Sequence, residues 1–192
     1  MPMRPVHTTY LEQTVPSDLR PARPPYDVDV IRPDVPSPEF SHFLYTAVGG
    51  DWYWLTRLDW TLDRWRKYLD RPGVETWVAW HRGTPAGYIE LEGQADAAVE
   101  IAYFGLLPDF IGRGIGGYLL TFGTARAWDL ASRWPDRDAT KRVWVHTCDL
   151  DGPHALANYQ ARGFRIYQET DKAEDLPTTP PGPWPGARTS EA

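Results

Sequence analysis

The spacing of apolar and polar positions changes period several times along the chain, and each change predicts a new element. Residues 6–10 and 26–31 alternate apolar with polar positions, which predicts two strands joined by a Pro-rich loop. Apolar positions then fall three to four residues apart over residues 37–50 and again over residues 61–73, which is typical of amphipathic helices. Two helices are therefore expected before the main part of a sheet.

The middle of the chain predicts an antiparallel meander. Three strands are expected between turn-forming residues, at residues 75–81, 86–91 and 98–106. Residues 114–132 carry the longest helical pattern, and a strand at residues 142–147 follows it. Since a strand, helix, strand run usually returns to the same sheet as a parallel neighbour, the meander should continue into a parallel crossover.

A short helix over residues 154–162 and a strand over residues 164–168 complete the pattern. The sequence therefore predicts an α/β (α+β) protein with about four helices and a mixed central sheet. Prolines are concentrated at both ends, since nine of the nineteen lie within the first 38 residues. We expect residues 1–25 to form a Pro-rich extension with an extra strand, residues 26–170 the domain, and residues 171–192 an extended or disordered tail.

Composition narrows the range of partners. The 192 residues carry 20 Lys and Arg against 26 Asp and Glu, a net charge of −6, so neither nucleic acid nor an anionic membrane is an expected partner. The single cysteine, Cys148, excludes an internal disulfide framework, and the five histidines show no metal-ligand spacing, so no metal is expected. The sequence shows no signal-type or membrane-spanning apolar run, which predicts a cytoplasmic location.

The strongest chemical signal is a glycine-rich loop at residues 110–117, between a strand and the start of the long helix. Glycines let backbone N–H groups approach an anion closely, and a helix N-terminus favours negative charge, so the loop predicts a pyrophosphate site. The alternative is a tight turn whose glycines serve packing only. Gly112, Gly114 and Gly117 satisfy G-x-G-x-x-G, which keeps a dinucleotide-binding oxidoreductase open, although the loop comes late and no P-loop Gly-Lys-Ser/Thr follows.

Together these segments resemble the GCN5-related N-acetyltransferase (GNAT) superfamily over residues 26–170. The resemblance is carried by three segments: the meander strand ending at residues 100–106, the loop and helix start at residues 112–116, and the later Tyr-Gln-Ala-Arg-Gly-Phe at residues 159–164. Two positions depart from the family pattern: Ile111 stands where Gln or Arg is usual, and Gly152 where an Asn often opens the following loop.

The resemblance implies that acetyl-CoA is the acyl donor and that its pyrophosphate lies on backbone N–H groups of the loop. It also implies a bulged strand whose N–H groups face the thioester carbonyl. The implied cofactor-binding residues are Phe104, Gly105, Leu106, Leu107, Ile111, Gly112, Arg113, Gly114, Ile115, Gly116, Gly117, Asn158 and Tyr159.

Acetyl transfer to an amine needs a base for the amine and benefits from an acid for the leaving thiolate. By resemblance to the histone-acetylating branch of the superfamily, Glu100 is the first candidate base, and Tyr159 matches the acid. If the turn at residues 93–97 pairs residues whose numbers sum to 190, Glu90 lies opposite Glu100 on the same face and is the second candidate. The alternatives are an exposed strand carboxylate for Glu100 and a packed core residue for Tyr159. His146 is interpreted as a core histidine.

The region of the first two helices supplies the expected acceptor pocket. Its aromatic rings and carboxylates suit a cationic amine through cation–π contact and charge pairing. The candidate acceptor-binding residues are Asp51, Trp52, Trp54 and Tyr103. A small amine is the first substrate class, a protein N-terminus or lysine the second, and a non-catalytic CoA-binding sensor the alternative of another kind; by family resemblance a homodimer is also expected.

Overall fold

The structure is a computed structural model, and it describes residues 3–187. In this part of the chain a seven-stranded mixed sheet with the order β2-β3-β4-β5-β6-β1-β7 is combined with four α-helices. The strands are β1 (Met3–Gln13), β2 (Val28–Ile31), β3 (Val74–His81), β4 (Thr84–Gly93), β5 (Ala98–Leu106), β6 (Arg142–Cys148) and β7 (Arg165–Asp175). The helices are α1 (Pro38–Gly49), α2 (Leu62–Leu69), α3 (Ile115–Trp128) and α4 (Ala155–Ala161). The predicted mixed fold is confirmed.

The meander and the crossover meet at β5. β3, β4 and β5 are antiparallel neighbours, whereas β5 and β6 are parallel. The parallel pairing covers only Ala98–Glu100 on β5 and Arg142–Trp144 on β6, after which the two strands have no paired residues. Because both strands continue for several residues beyond the last pair, a cleft opens between their carboxyl-terminal halves.

The expected register of β4 and β5 is wrong. Glu100 lies opposite Glu92, not Glu90, because the turn between the strands brings Gly93 opposite Val99. A bulge between Glu90 and Leu91 then shifts the pairing, so that Glu90 lies opposite Tyr103. A bulge inserts one extra residue on one strand, and period-two patterning cannot reveal where that residue falls.

The N-terminal strand β1 lies between β6 and β7 and is antiparallel to both. The last strand is longer than predicted: β7 continues to Asp175 because it pairs along β1 as far as Met3. Beyond it, Leu176 is buried and Gly182 N–H donates to the Gly50 carbonyl at 2.9 Å, so this part of the Pro-rich tail lies against the end of α1. The division into extension, domain and tail stays a prediction, and residues 188–192 of the tail lie outside the described residues.

The two faces of the sheet are covered differently. α3 packs on β4, β5 and β6 and buries Leu119 and Leu120 completely. On the opposite face, α1 and α2 make their main sheet contacts with β3, β4 and β5. The side chains of β6, β1 and β7 on that opposite face are therefore more open, and His146 is 46% exposed there. No helix within residues 3–187 is long and apolar enough to cross a membrane.

Candidate functional site

A cavity of about 900 Å³ occupies the cleft where β5 and β6 diverge. Its wall combines the glycine-rich loop, the ends of β5 and β6, the start of α4 and the connection between α1 and α2. Of the residues predicted for the site, thirteen lie in this wall: Trp52, Trp54, Tyr103, Phe104, Gly105, Leu106, Ile111, Gly112, Gly114, Gly116, Gly117, Asn158 and Tyr159. The fold thus brings together three sequence segments that are far apart in the chain.

The glycine-rich loop is built to leave space in front of the α3 N-terminus. Gly112 and Gly114 have φ values of 80° and 79°, a left-handed conformation that side chains disfavour. A Cβ at either position would meet nothing within 4 Å, so both glycines face open space. Gly116 and Gly117 follow in the first turn of α3, whose N–H groups have no partner within the helix. The geometry fits an anion such as a pyrophosphate.

Tyr159 reaches the cavity from α4 and is buried. Its ring packs edge-on against Phe104 on β5 and against Phe164, with ring centroids 5.9 and 6.1 Å apart. Burial raises the pKa of its phenol, and the nearby charge of Asp151 raises it further. The phenol is therefore fully protonated near neutral pH and can donate a hydrogen bond into the cavity.

Glu90 lies outside the cavity wall, in a buried cluster below α2. Its carboxylate pairs with the Arg57 guanidinium, with an N–O distance of 2.9 Å, and accepts a hydrogen bond from the Tyr68 hydroxyl at 2.6 Å. Burial raises the pKa of Glu90, while Arg57 opposes that shift. Those two contacts are to Glu90 Oε1, and Arg57 also donates to Oε2 at 3.2 Å. Both carboxylate oxygens are thus engaged by protein groups, which leaves Glu90 no access to a bound amine.

Glu100 also lies outside the cavity wall, but it borders it through His146. Gln94 Nε2 donates to Glu100 Oε2 at 2.6 Å, and His146 Nδ1 lies 3.6 Å from Glu100 Oε1. The Glu100 side chain is 15% exposed, whereas that of His146 is 46% exposed and lines the cavity. Val143 and Val145 point into the core, so His146 lies on the opposite face of β6, because side chains alternate along a strand. His146 is therefore not the core histidine that the sequence indicated.

The four predicted acceptor-binding residues differ in how they contribute to the cavity wall. Trp54 lines the cavity but is also wedged between Tyr45, Tyr88 and Tyr103, with ring centroids 4.8–6.2 Å apart. Trp52 lies across the cavity, with its ring 3.6 Å from the Cβ position of Gly152. Asp51 lies outside the wall.

Three other predicted cofactor residues do not reach the cavity. Leu107 N–H donates to the Ala86 carbonyl at 2.9 Å, Ile115 is buried in the core, and the Arg113 guanidinium lies over the ring of Phe110. Their assigned roles stay predictions.

Several wall residues carry no sequence motif. They come from β1, β6, the loop after β6, the start of α4, the end of β7 and the residue after it: Val6, Thr8, Val145, His146, Cys148, Leu150, Ala155, Glu174 and Leu176. The pairing of β1 with β6 and β7 brings most of them to the site, and local sequence gives no signal for such long-range pairing. Burial raises the pKa of the Cys148 thiol to about 11, so the thiol is neutral. Within residues 3–187, no group of His, Cys, Asp and Glu side chains could hold a metal ion.

Comparison with solved structures shows the same fold in other proteins. A GCN5-related N-acetyltransferase from Kribbella flavida is 16% identical and matches 91% of this chain and 61% of its own, with a TM-score of 0.64. One from Sphaerobacter thermophilus is 15% identical and matches 89% of this chain and 53% of its own, with a TM-score of 0.63. The chain thus spans less than two thirds of either relative.

An acetyltransferase from Bacillus subtilis, whose structure is a complex with CoA, is 21% identical. It matches 73% of this chain and 78% of its own, with a TM-score of 0.53. No curated protein matches the sequence. The sequence model of the acetyltransferase (GNAT) family matches residues 39–164 of this chain. These residues include the glycine-rich loop, β5, β6 and α4, and the chain therefore belongs to the acetyltransferase (GNAT) family.

Proposed function

We propose that the protein is an acetyl-CoA-dependent N-acetyltransferase that acetylates the primary amine of a small cationic molecule. The observation that carries this proposal is the cavity itself, which is lined by the glycine-rich loop, by Tyr159 and by the aromatic residues of the α1–α2 connection. Binding of the donor, protonation of its thiolate and binding of an amine can therefore share one site.

The residues present fit the donor. Free N–H groups at the α3 N-terminus would hold the pyrophosphate, and a Cβ at Gly114 would occupy the open space in front of them. Leu106, Val145 and Leu150 give apolar walls for the pantetheine arm. Acetyl-CoA supplies the activated acetyl thioester. The CoA complex of the Bacillus subtilis relative supports the same donor here.

Tyr159 is proposed as the acid of the reaction. Its protonated phenol lies in the wall beside β5, and it can give its proton to the departing sulfur as the C–S bond breaks. Glu100 is retained as part of the base, although its carboxylate borders the cavity only through His146.

The wall favours a cationic acceptor. Among the described residues that line the cavity, none is Lys or Arg, whereas Trp52, Tyr53 and Tyr103 offer aromatic faces and Glu174 a carboxylate. An ammonium group therefore meets no like charge on entry. A cytoplasmic location, a homodimer, and the expectation of neither nucleic acid nor membrane as a partner stay predictions.

Donor binding is tested by calorimetry with acetyl-CoA on the wild type and on Gly114→Val. We expect Gly114→Val to abolish binding, because the added side chain fills the space in front of the helix N-terminus. Gly83→Val is the matched control: Gly83 has a φ of 85° and also faces open space, but it lies in the β3–β4 turn. Retained binding in Gly114→Val would place the donor elsewhere, whereas loss in both variants would show that strain at a left-handed glycine, and not the filled space, removes binding.

Turnover is tested by thiol release over a panel of small amines, with an N-terminal peptide and a lysine peptide as further acceptors. We expect small amines to react best, and Tyr159→Phe to lower kcat by about ten- to a thousandfold with little change in donor affinity. A preference for a peptide would assign the protein to protein acetylation. Tight donor binding without transfer to any acceptor would favour a CoA sensor.

A further inference from the structure

His146 stands where β5 and β6 separate. The last parallel pair is Glu100 with Trp144, and His146 comes two residues later on the same face of β6. At this point the cavity begins, and the imidazole lines it with nearly half of its side chain exposed. His146 is thus the first titratable side chain of β6 that an amine inside the cleft can contact.

The partner of His146 is held in place by a chain of hydrogen bonds. Trp144 Nε1 donates to Gln94 Oε1 at 2.9 Å, and Gln94 Nε2 donates to Glu100 Oε2 at 2.6 Å. The backbone of Gln94 is fixed as well, because its N–H donates to the Ala98 carbonyl at 2.8 Å. Glu100 Oε2 is therefore occupied, and Oε1 is the oxygen directed at His146 Nδ1.

The other groups around His146 do not replace Glu100. The rings of Tyr10 and Trp144 lie beside the imidazole, with centroids 5.9 and 6.1 Å away. The next charged groups along the same face are Glu12 and Arg142, which pair with each other at 2.6 Å. Glu92, opposite Glu100, is bound by Arg71 at 2.6 Å. Glu100 is therefore the carboxylate that faces the imidazole without a cation of its own.

We propose that His146 is the proton acceptor for the acetylated amine and that Glu100 is its positioning residue; this inference rests on the proposed function. Glu100 Oε1 lies 3.6 Å from His146 Nδ1, an ion-pair distance longer than a hydrogen bond. With its proton on the nitrogen nearer this carboxylate, the imidazole presents the lone pair of Nε2 to the cavity. The bound ammonium first loses one proton to solvent. When the resulting neutral amine attacks the thioester carbon, the C–N bond forms and the nitrogen becomes positive. Nε2 takes that proton, the C–S bond breaks, and Tyr159 protonates the sulfur. Solvent then removes the proton from His146 and returns one to Tyr159.

The arrangement explains why Glu100 need not touch the substrate. A carboxylate next to an imidazole fixes its tautomer and stabilises the imidazolium that forms on proton uptake. Glu100, largely covered, does both from outside the cavity, while His146 alone meets the amine.

The test is the pH dependence of kcat/KM for the wild type, His146→Gln, Glu100→Gln and the double variant. In the wild type we expect kcat/KM to rise with pH, and this rise is the limb of the pH profile. His146→Gln should lower kcat/KM by about a hundredfold and should flatten the limb. Glu100→Gln should lose less than His146→Gln and should keep the rise of the rate with pH, because the imidazole is still present. The double variant should be no slower than His146→Gln, since the two residues act as one unit. The control His42→Gln, on the exposed side of α1, should match the wild type.

Two readouts separate this proposal from the function on which it rests. Acetyl-CoA affinity by calorimetry should be unchanged in His146→Gln, because the imidazole is assigned to the amine and not to the donor. NMR of the His146 ring nitrogens in the free protein should show the tautomer with the proton on Nδ1 in the wild type and a mixture of both tautomers in Glu100→Gln, whether or not an acceptor is known. A wild-type rate and limb in His146→Gln would overturn the proposal, as would a limb lost in Glu100→Gln but kept in His146→Gln. Absence of transfer by the wild type would instead overturn the proposed function.

Discussion

Glu90 and Glu100 lie on neighbouring strands of the meander and on the same face, yet their surroundings differ completely. Glu90 is 2% exposed and is enclosed with Arg57 and Tyr68 where α2 covers the sheet. Glu100 lies where the helices no longer cover the sheet, and it accepts one hydrogen bond from the neutral Gln94. Residue type and face are the same for both glutamates, so the covering elements decide that one is structural and the other is available to the site.

The surroundings of Arg57 explain why its buried guanidinium needs the ion pair with Glu90. The guanidinium is buried and has four aromatic rings within 4.1–5.4 Å, those of Trp60, Trp65, Tyr68 and Tyr103. Such rings stabilise a cation, but they cannot neutralise its charge as a carboxylate does. Removing one partner of a buried ion pair leaves the other charge uncompensated, which costs more than the pair itself contributes.

The largest effect is expected when this pair is broken. Arg57→Met should lower the free energy of unfolding by about 3–5 kcal/mol, because Glu90 is left buried without its cation. Urea unfolding followed by circular dichroism measures the loss. The double variant Arg57→Met/Glu90→Leu should recover most of it, since no buried charge remains. A loss below about 1 kcal/mol in the single variant would mean that water reaches Glu90, and the contrast with Glu100 would disappear.

A third glutamate sharpens the comparison, because Glu75 is buried like Glu90 but has more donors. Burial alone would raise the pKa of Glu75, but hydrogen bonds from Arg133, Trp77 and Trp134 outweigh it and hold the pKa below its ordinary value. The resulting stabilisation is complete above the ordinary value of about 4.5 and is lost as pH falls through the lower folded value.

Glu75→Gln should therefore cost about 2 kcal/mol at pH 7, with a difference from the wild type that shrinks as pH falls below about 4.5. Unfolding curves at several pH values measure this. A difference that stays constant down to pH 2 would show that the charge of Glu75 does not stabilise the fold.

The smallest effect on stability is expected at Glu100. Glu100→Gln should change the free energy of unfolding by less than about 0.5 kcal/mol, because the amide oxygen can still accept from Gln94 and no buried cation depends on the charge. The same urea measurement applies. If Glu100→Gln proved as destabilising as Arg57→Met, Glu100 would be a structural carboxylate, and its proposed role beside His146 would lose its support.

Local sequence predicted the parts of the site that are built by neighbouring residues. The glycine-rich loop lies at the α3 N-terminus as expected, and the helix starts at Ser37 and Thr61 are capped by their own side chains, which accept from Phe40 N–H at 3.1 Å and Arg64 N–H at 3.2 Å. Caps and glycine turns depend on a few adjacent residues, so their signal is contained in a short window.

What the sequence could not predict depends on contacts between distant segments. The bulge that places Glu90 opposite Tyr103 lies in the pairing of β4 with β5, and period-two patterning does not show where such a shift falls. The proposed role of His146 depends on the point at which β6 stops pairing with β5, and the sequence of β6 contains no signal for that point. Leu176 enters the wall because β7 follows β1 to its end.

The position of β1 between β6 and β7 also sets the order in which the sheet can be assembled. The two edges of β1 pair with β6 and β7, and both of these strands are synthesised more than a hundred residues after β1. While the nascent chain grows on the ribosome, β1 therefore has two open edges and an apolar Leu11 without its core. Pairings of such long range close slowly, so sheet completion is a late event that follows release of β7 from the ribosome exit tunnel. Of the seven strands that the structure describes, β1 is made first and waits longest for its neighbours, so the risk of misassembly is concentrated there.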